Sequence, residues 1–444
     1  MATIFSYEWA EKLQEKAEGK GDDPFFLSIA RVTILCIIAF FIDSSALRGT
    51  AFALGMLAPL WLPLLLAEVI FISFVDYKRF IFWFSIDRVL LEIQLPPQIQ
   101  KSPEAIEVIL DSLWNAGGET NEYDRIFLGK MRAVWSLEIA SNEGKISFYI
   151  SMPRAWKNIT SARIYGQFPE ARVEEVEDYV TKVPFSLNTY DLFAMEYEKG
   201  DPAALPIKTY KQYDLDKNTD SPETRVDPIT HLLELFSSIG KDEYMWLQII
   251  LRARKKDEWR GLYFGDTYKE SAEKEIKKVI QGSIKRAEEI KQQFPTATKG
   301  ENQRIENIQY ALTKVPFDCG VRSMYVAKKD AFKPQNIGAL VNLFVPLRGN
   351  TGEFNSLSVA NRGLIRYQYP WQDFKDILHT KDKKHLWFWY ANRAYFYVPL
   401  NQVPTYMNTE ELATIWHFPN ESIVTPGLQR VPSRTAEAPT NLPI

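Results

Sequence analysis

The chain has 444 residues, a formal charge of −3, and hydrophobic residues at 46% with aromatic residues at 14%. That apolar share is ample for packed cores, and the near-neutral balance argues against a dedicated nucleic-acid binder, which carries a strong basic excess. Cys36 and Cys319 lie far apart in sequence and are expected not to pair, as in a reducing compartment. The first 20 residues are charged throughout and lack the apolar stretch of a signal peptide.

Residues 1–24 read as an amphipathic lead-in, with Phe5, Trp9 and Leu13 on one face and Lys12, Lys16 and Lys20 elsewhere. Two readings stand for it: a helix lying at a membrane surface, or a solvated segment. Residues 25–85 read as a transmembrane hairpin. Ala51 to Val75 is a run of 25 residues with Glu68 as its one charge, and Phe25 to Ile42 is an 18-residue run with Arg31 as its one charge. About 20 apolar residues span a bilayer core. Basic residues flank the outer ends, Lys12 to Lys20 before and Lys78, Arg79 and Arg88 after, while the loop between holds Arg48. This bias predicts a two-pass protein of the cell membrane with both termini cytoplasmic, in contact with membrane lipid. Arg31 and Glu68 would sit at one depth and form an intramembrane pair.

From residue 86 the pattern changes. Val89 to Leu95 reads as a strand closed by Pro96-Pro97. A helix follows, with Ser102 as cap, Pro103 at its first position, and Ile106, Ile109, Leu110 and Leu113 on one face. Ala133 to Ala140 and Lys145 to Met152 read as a hairpin turned at Asn142-Glu143-Gly144. Arg154 to Phe168 reads as a helix and Arg172 to Tyr179 as an edge strand, so residues 86–184 have the order β-α-β-β-α-β of a ferredoxin-like, split βαβ unit. Residues 185–347 read as a second α+β unit. Its elements are strands at Tyr190–Tyr197, Ile207–Tyr213, Tyr244–Ala253 and Val321–Ala327, with helices at Pro228–Ile239, Lys269–Gln292, Glu301–Thr313 and Pro334–Phe344. TKVPF occurs at both Thr181 and Thr313, a weak sign of duplication.

Residues 348–418 are rich in aromatics. Leu386 to Leu400 (LWFWYANRAYFYVPL) reads as a β-hairpin turning at Ala391-Asn392, and Asn408 with Glu411 as the cap of a short helix, Thr409 to Trp416. Residues 419–444 are polar and proline-rich, a flexible tail. The fold class expected is therefore α+β: a two-helix transmembrane hairpin, two ferredoxin-like units and an aromatic hairpin extension.

The segments LLEIQLPPQIQKSPEAIEVILDSLW, SLEIASNEGKISFYISMPRAW, DPITHLLELFSSIGKDEYMWLQIILRARKKDEW and MNTEELATIWHFPNESIVTPG resemble the amino-terminal region of membrane-anchored, type IV secretion-like ATPases of small-genome, candidate-phylum bacteria. The resemblance implies a membrane hairpin and ferredoxin-like domains followed by a FtsK/HerA-class motor that handles DNA. The motor is not expected among these residues. The Gly-Lys pairs are followed by Gly21, Met131, Ile146 and Asp242, none of them the Ser or Thr of a phosphate-binding loop.

No catalytic, cofactor or metal site stands out. His379 and His385 have no ligand spacing and no cysteine beside them, and the acids from Glu174 to Asp178 read as a solvated strand face. The function expected is a non-enzymatic, membrane-anchored component of a secretion- or conjugation-like DNA or protein translocation machine. It would be oligomeric and would dock a separate FtsK/HerA-class ATPase, or have lost that domain. The alternative is a membrane-tethered module that binds nucleic acid or substrate. Trp371, Lys383, Lys384, Trp387, Trp389 and Arg393, with Glu411 and Trp416, are the candidate contacts, because single-stranded nucleic acid stacks on aromatics beside basic residues.

Overall fold

In the computed structural model the described residues run from 44 to 430, with gaps of which the longest are 218–225, 290–296, 365–372 and 421–426. The chain divides into two compact units, one ending at Tyr77 and one starting at Lys78. The described part of the first is a stretch of α1 (Ser44–Ser85), a helix of 42 residues. Phe52, Met56, Leu60 and Ile70 are exposed on it.

The expected two-pass membrane hairpin is overturned. Its first run, 25–42, lies outside the described residues together with Arg31. Its second run falls in α1, and among the described residues no helix is long and apolar enough to cross a membrane. Read in sequence, Ala51 to Val75 looks self-contained. In the fold it is the middle of a longer helix that contains Pro59, Pro63 and Glu68 and continues unbroken through Asp76, Lys78 and Arg79. The two-pass membrane localisation, with both termini cytoplasmic, is withdrawn with it. The expected Arg31–Glu68 pair lies outside the described residues.

The second unit is built on one antiparallel sheet. In chain order its first half contains β1 (Arg88–Gln94), α2 (Glu104–Leu113), α3 (Glu122–Ile126), β2 (Val134–Asn142), β3 (Lys145–Pro153), α4 (Lys157–Gln167), β4 (Arg172–Val176) and the single turn α5 (Tyr179–Lys182). The second half contains β5 (Tyr190–Lys199), α6 (Ile229–Ser237), β6 (Glu243–Ala253), the short pair β7 (Trp259–Arg260) and β8 (Tyr263–Phe264), α7 (Tyr268–Glu289), α8 (Lys299–Ala311), β9 (Pro316–Lys328), α9 (Pro334–Val341) and β10 (Leu357–Val359). It closes with α10 (Ile377–Ala391), β11 (Thr405–Asn408) and α11 (Thr409–Ile415).

The nine-stranded sheet runs β10-β5-β9-β6-β2-β3-β1-β4, with β11 paired to β9. Each half therefore has its strands in the order fourth, first, third, second, if β7 and β8 are counted as an insertion. The halves meet along β2 and β6, where Val134 faces Arg252 and Asn142 faces Tyr244. This central position explains why β2, β6 and β9 are buried along nearly their whole length. Both faces of the sheet are covered, so the alternation of a half-exposed strand is lost.

On one face Leu91, Ile93, Leu137, Ile139, Leu247, Ile249 and Val321 pack with the buried sides of α2, α6 and α11. On the other, Leu90, Ala140, Trp246, Met324 and Val326 pack with Leu386 and Tyr390 of α10. The hairpin between β2 and β3 turns through Glu143 and Gly144, both at positive φ (54° and 85°), which suits the right-handed twist of the strands.

Two local expectations fail. Residues 207–213 form no strand; Tyr210–Tyr213 is a 3-10 turn, held by Thr209 and Gln212 in a capping box. Leu386 to Leu400 is not a hairpin. Its first part is the end of α10, which stops where Arg393 takes a positive φ of 53°. Leu386 and Tyr390, four apart, lie on one helix face against the sheet, so the helical spacing of the aromatics outweighs their strand propensity.

α11 begins as its sequence says. The Asn408 side chain accepts from the Glu411 amide and Glu411 accepts from the Asn408 amide, each at 2.9 Å. The expected tail is tied down in part, since the Ile146 amide donates to the Gly427 carbonyl at 2.8 Å.

His417, which follows α11, donates from Nε2 to the Asp227 carboxylate at 3.1 Å and is almost wholly buried. Burial opposes the imidazolium, but the Asp227 charge and the hydrogen bonds outweigh it and raise the His417 pKa, while Asp227 is held below the usual carboxylate range. A raised folded pKa stabilises fully below the unfolded value, about 6.5, and that gain is lost as pH rises through the folded value. Asp227 contributes above about 3.9 and loses its share as pH falls through its depressed value. Urea midpoints should therefore decline as pH rises above about 6.5 through the raised pKa of His417, and His417→Gln should flatten that slope. An unchanged slope in the variant would remove the pair as its source.

Candidate functional site

A buried network of charged residues lies on the α10 face of the sheet, across the β2–β6 junction. Glu138 of β2 stands opposite Gln248 of β6, and Gln248 opposite Arg322 of β9. All three are buried. Arg393 reaches back from the end of α10. Its Nε and Nη2 donate to the two Glu138 oxygens at 3.0 and 3.1 Å, and Nη2 also donates to Asp178 at 3.1 Å. Tyr179 donates to Glu138 at 2.9 Å, and the Gln248 amide donates to the same carboxylate at 3.0 Å. Arg322 donates to the Gln248 oxygen and to the carbonyls of Trp389 and Ala394, so it too fastens the end of α10.

Burial alone would raise the Glu138 pKa, but Arg393 and the hydrogen bonds reverse the effect and hold it below the ordinary value. Burial and the Glu138 charge push the Tyr179 hydroxyl well up. Tyr179 is therefore a neutral donor, and Glu138 a carboxylate whose lone pairs are spent on donors inside the protein. The network holds α10 to the sheet and has no group poised for proton transfer to a substrate.

A second buried cluster surrounds Asp318 of β9. Arg252 and Arg254 bind it at 3.0 and 2.8 Å, with Arg132 at 3.8 Å. Among the described residues no group of three His, Cys, Asp or Glu side chains could hold a metal ion. Burial pushes the Cys319 thiol well above its ordinary pKa, which makes it inert as a nucleophile.

A cavity of about 300 Å³ opens beside the network, between the end of α1, β1 and the turn after α10. Trp83, Arg88, Ser151, Asp178, Asn392 and Arg393 are among its walls. Arg88 donates from Nη2 to the Val134 carbonyl at 3.1 Å, while its Nε and Nη1 are buried without a hydrogen-bond partner. Its guanidinium lies 5.5 Å from the centre of the Trp83 ring.

The contacts expected from sequence are scattered. Trp371 lies outside the described residues. Trp387 stacks on Phe185 at 4.1 Å and Trp389 packs against the same core. Lys383 pairs with Asp191 at 2.5 Å, and Lys384 is exposed. Arg393 is in the buried network. Glu411 and Trp416 are buried on the opposite face, where Glu411 pairs with Lys199 at 2.9 Å. The structure thus brings together Arg393 with Glu138, Asp178 and Arg88, of which sequence reasoning had found only the first. The available signal was Glu138 itself, one acid inside the apolar strand VWSLEIAS. Comparison with known proteins adds no relative: no protein-family model matches the chain, and no curated protein matches it.

Proposed function

We propose that this chain is a non-catalytic assembly platform, two ferredoxin-like units fused through their inner strands, that docks a separate FtsK/HerA-class motor ATPase. The observation that carries this reading is the strand order, fourth-first-third-second, repeated in the two halves of one sheet. It falls where the resemblance of residues 86–418 implies two such domains ahead of a motor. The lack of a Gly-Lys-Ser/Thr loop in the sequence and the internal hydrogen bonding of the Glu138 carboxylate by Arg393 and Tyr179 support a role without turnover. The nucleic-acid alternative loses its main support, because Trp387, Trp389 and Arg393 are engaged inside the fold and offer bases no stacking platform.

The test is direct. The full chain should show no ATP turnover and should co-elute on sizing with a FtsK/HerA-class ATPase from the same genome. ATP hydrolysis by the chain alone, or separate elution at concentrations of tens of micromolar, would sink the proposal.

A further inference from the structure

We propose that the cavity beside Trp83 is a binding site for a small monocarboxylate with a flat apolar body, and that Arg88 receives the carboxylate. The inference is independent of the docking role. Arginine has five N–H donors and remains charged, so a buried guanidinium is ordinarily matched by acceptors. Arg88 donates one bond, to a backbone carbonyl, and two of its buried nitrogens have no partner.

The nearby acids are committed elsewhere. Glu138 and Asp178 hold Arg393, and Glu175 holds Lys157 at 2.6 Å and Arg154 at 3.1 Å. Burial, with Arg393 close by, lowers the Arg88 pKa to about 10 despite the Glu138 charge, so the positive charge of Arg88 is under-compensated where it sits. An anion in the cavity would supply what is missing, and Arg–carboxylate hydrogen bonds are among the strong ones.

The walls set the rest of the ligand. Trp83, Phe84, Ile86 and Val176 offer an aromatic and aliphatic surface, and Ser151 and Asn392 add polar groups. A volume of about 300 Å³ suits a one- or two-ring molecule, at the lower end for ligand sites. Asp178 and Glu175 in the same lining disfavour a dianion, which selects a carboxylate over a phosphate.

Saturation-transfer NMR on the full chain with benzoate, benzamide and inorganic phosphate tests this. Benzoate should give a saturable signal. Its neutral isostere benzamide should not, and phosphate should compete poorly. Arg88→Met should weaken benzoate binding about 10- to 100-fold, the loss expected for charge-assisted hydrogen bonds. Asn392→Trp, at the partly exposed mouth, should block binding with Arg88 in place, and decides the matter if Arg88→Met fails to fold. No saturable benzoate signal, equal binding of benzamide, equal competition by phosphate, or full binding in a folded Arg88→Met or Asn392→Trp chain would each overturn the site.

Discussion

Replacing Arg393 with leucine is expected to destabilise the second unit by about 3–5 kcal/mol, the usual result of removing one partner from a buried ion pair. Glu138 would keep its bonds from Tyr179 and Gln248 but lose the charge that offsets its burial. Arg393 also fastens the turn after α10 through the Ala391 carbonyl, so the helix would loosen from Trp246 and Met324. The sign with pH should invert. In the native chain Glu138 has a depressed pKa, stabilises above about 4.3 and loses that share as pH falls. In Arg393→Leu its folded pKa would rise, so the variant should be more stable at about pH 5 than at pH 7. Adding Glu138→Gln should recover much of the loss, because a neutral amide no longer needs a counter-charge. Urea unfolding of the two variants at both pH values checks this, and a single variant within about 1 kcal/mol of the parent would show that the network contributes little.

Glu411→Leu is expected to be comparably damaging, by about 3–5 kcal/mol for stranding Lys199 and about 1 kcal/mol more for the lost cap. One carboxylate oxygen pairs with Lys199 and accepts from the Ile207 amide, and the other accepts from the Asn408 amide, all at 2.9 Å. Glu411→Gln should keep the cap and lose mainly the ion-pair share. Lys199→Met combined with Glu411→Gln should then exceed Glu411→Gln alone in stability. A double variant no better than the single would refute the coupling between the two residues. Deleting Thr409 to Ile444 would be a poor test of partner docking, because it removes a helix every residue of which is buried in the core.

The sheet was legible where sequence periodicity and turn chemistry agree. Leu90 to Ile93, the Glu143-Gly144 turn and the Asn408–Glu411 box all fall where the residues place them. Legibility failed where two propensities compete. The aromatics from Leu386 to Tyr390 favour a strand by type and a helix by spacing, and packing on Trp246 settles the contest. It failed also for Ala51 to Val75, where a hydropathy sum ignores the helix that contains the run. The cavity was invisible because Arg88, Asp178 and Asn392 converge from three separate elements, and sequence distance says nothing of that.

The closing segment reaches back across most of the second unit. The Trp416 indole donates to the carbonyl of Glu138, a residue 278 positions earlier, and Gly427 accepts from the β3 amide of Ile146. During synthesis, strands β1 to β3 leave the ribosome long before the residues that complete their core. At about 5–20 residues per second, that half waits some tens of seconds with Phe148 and its neighbours uncovered. Such a nascent chain is a client for holding chaperones, and its yield in a cell should depend more on them than on the stability of the finished fold.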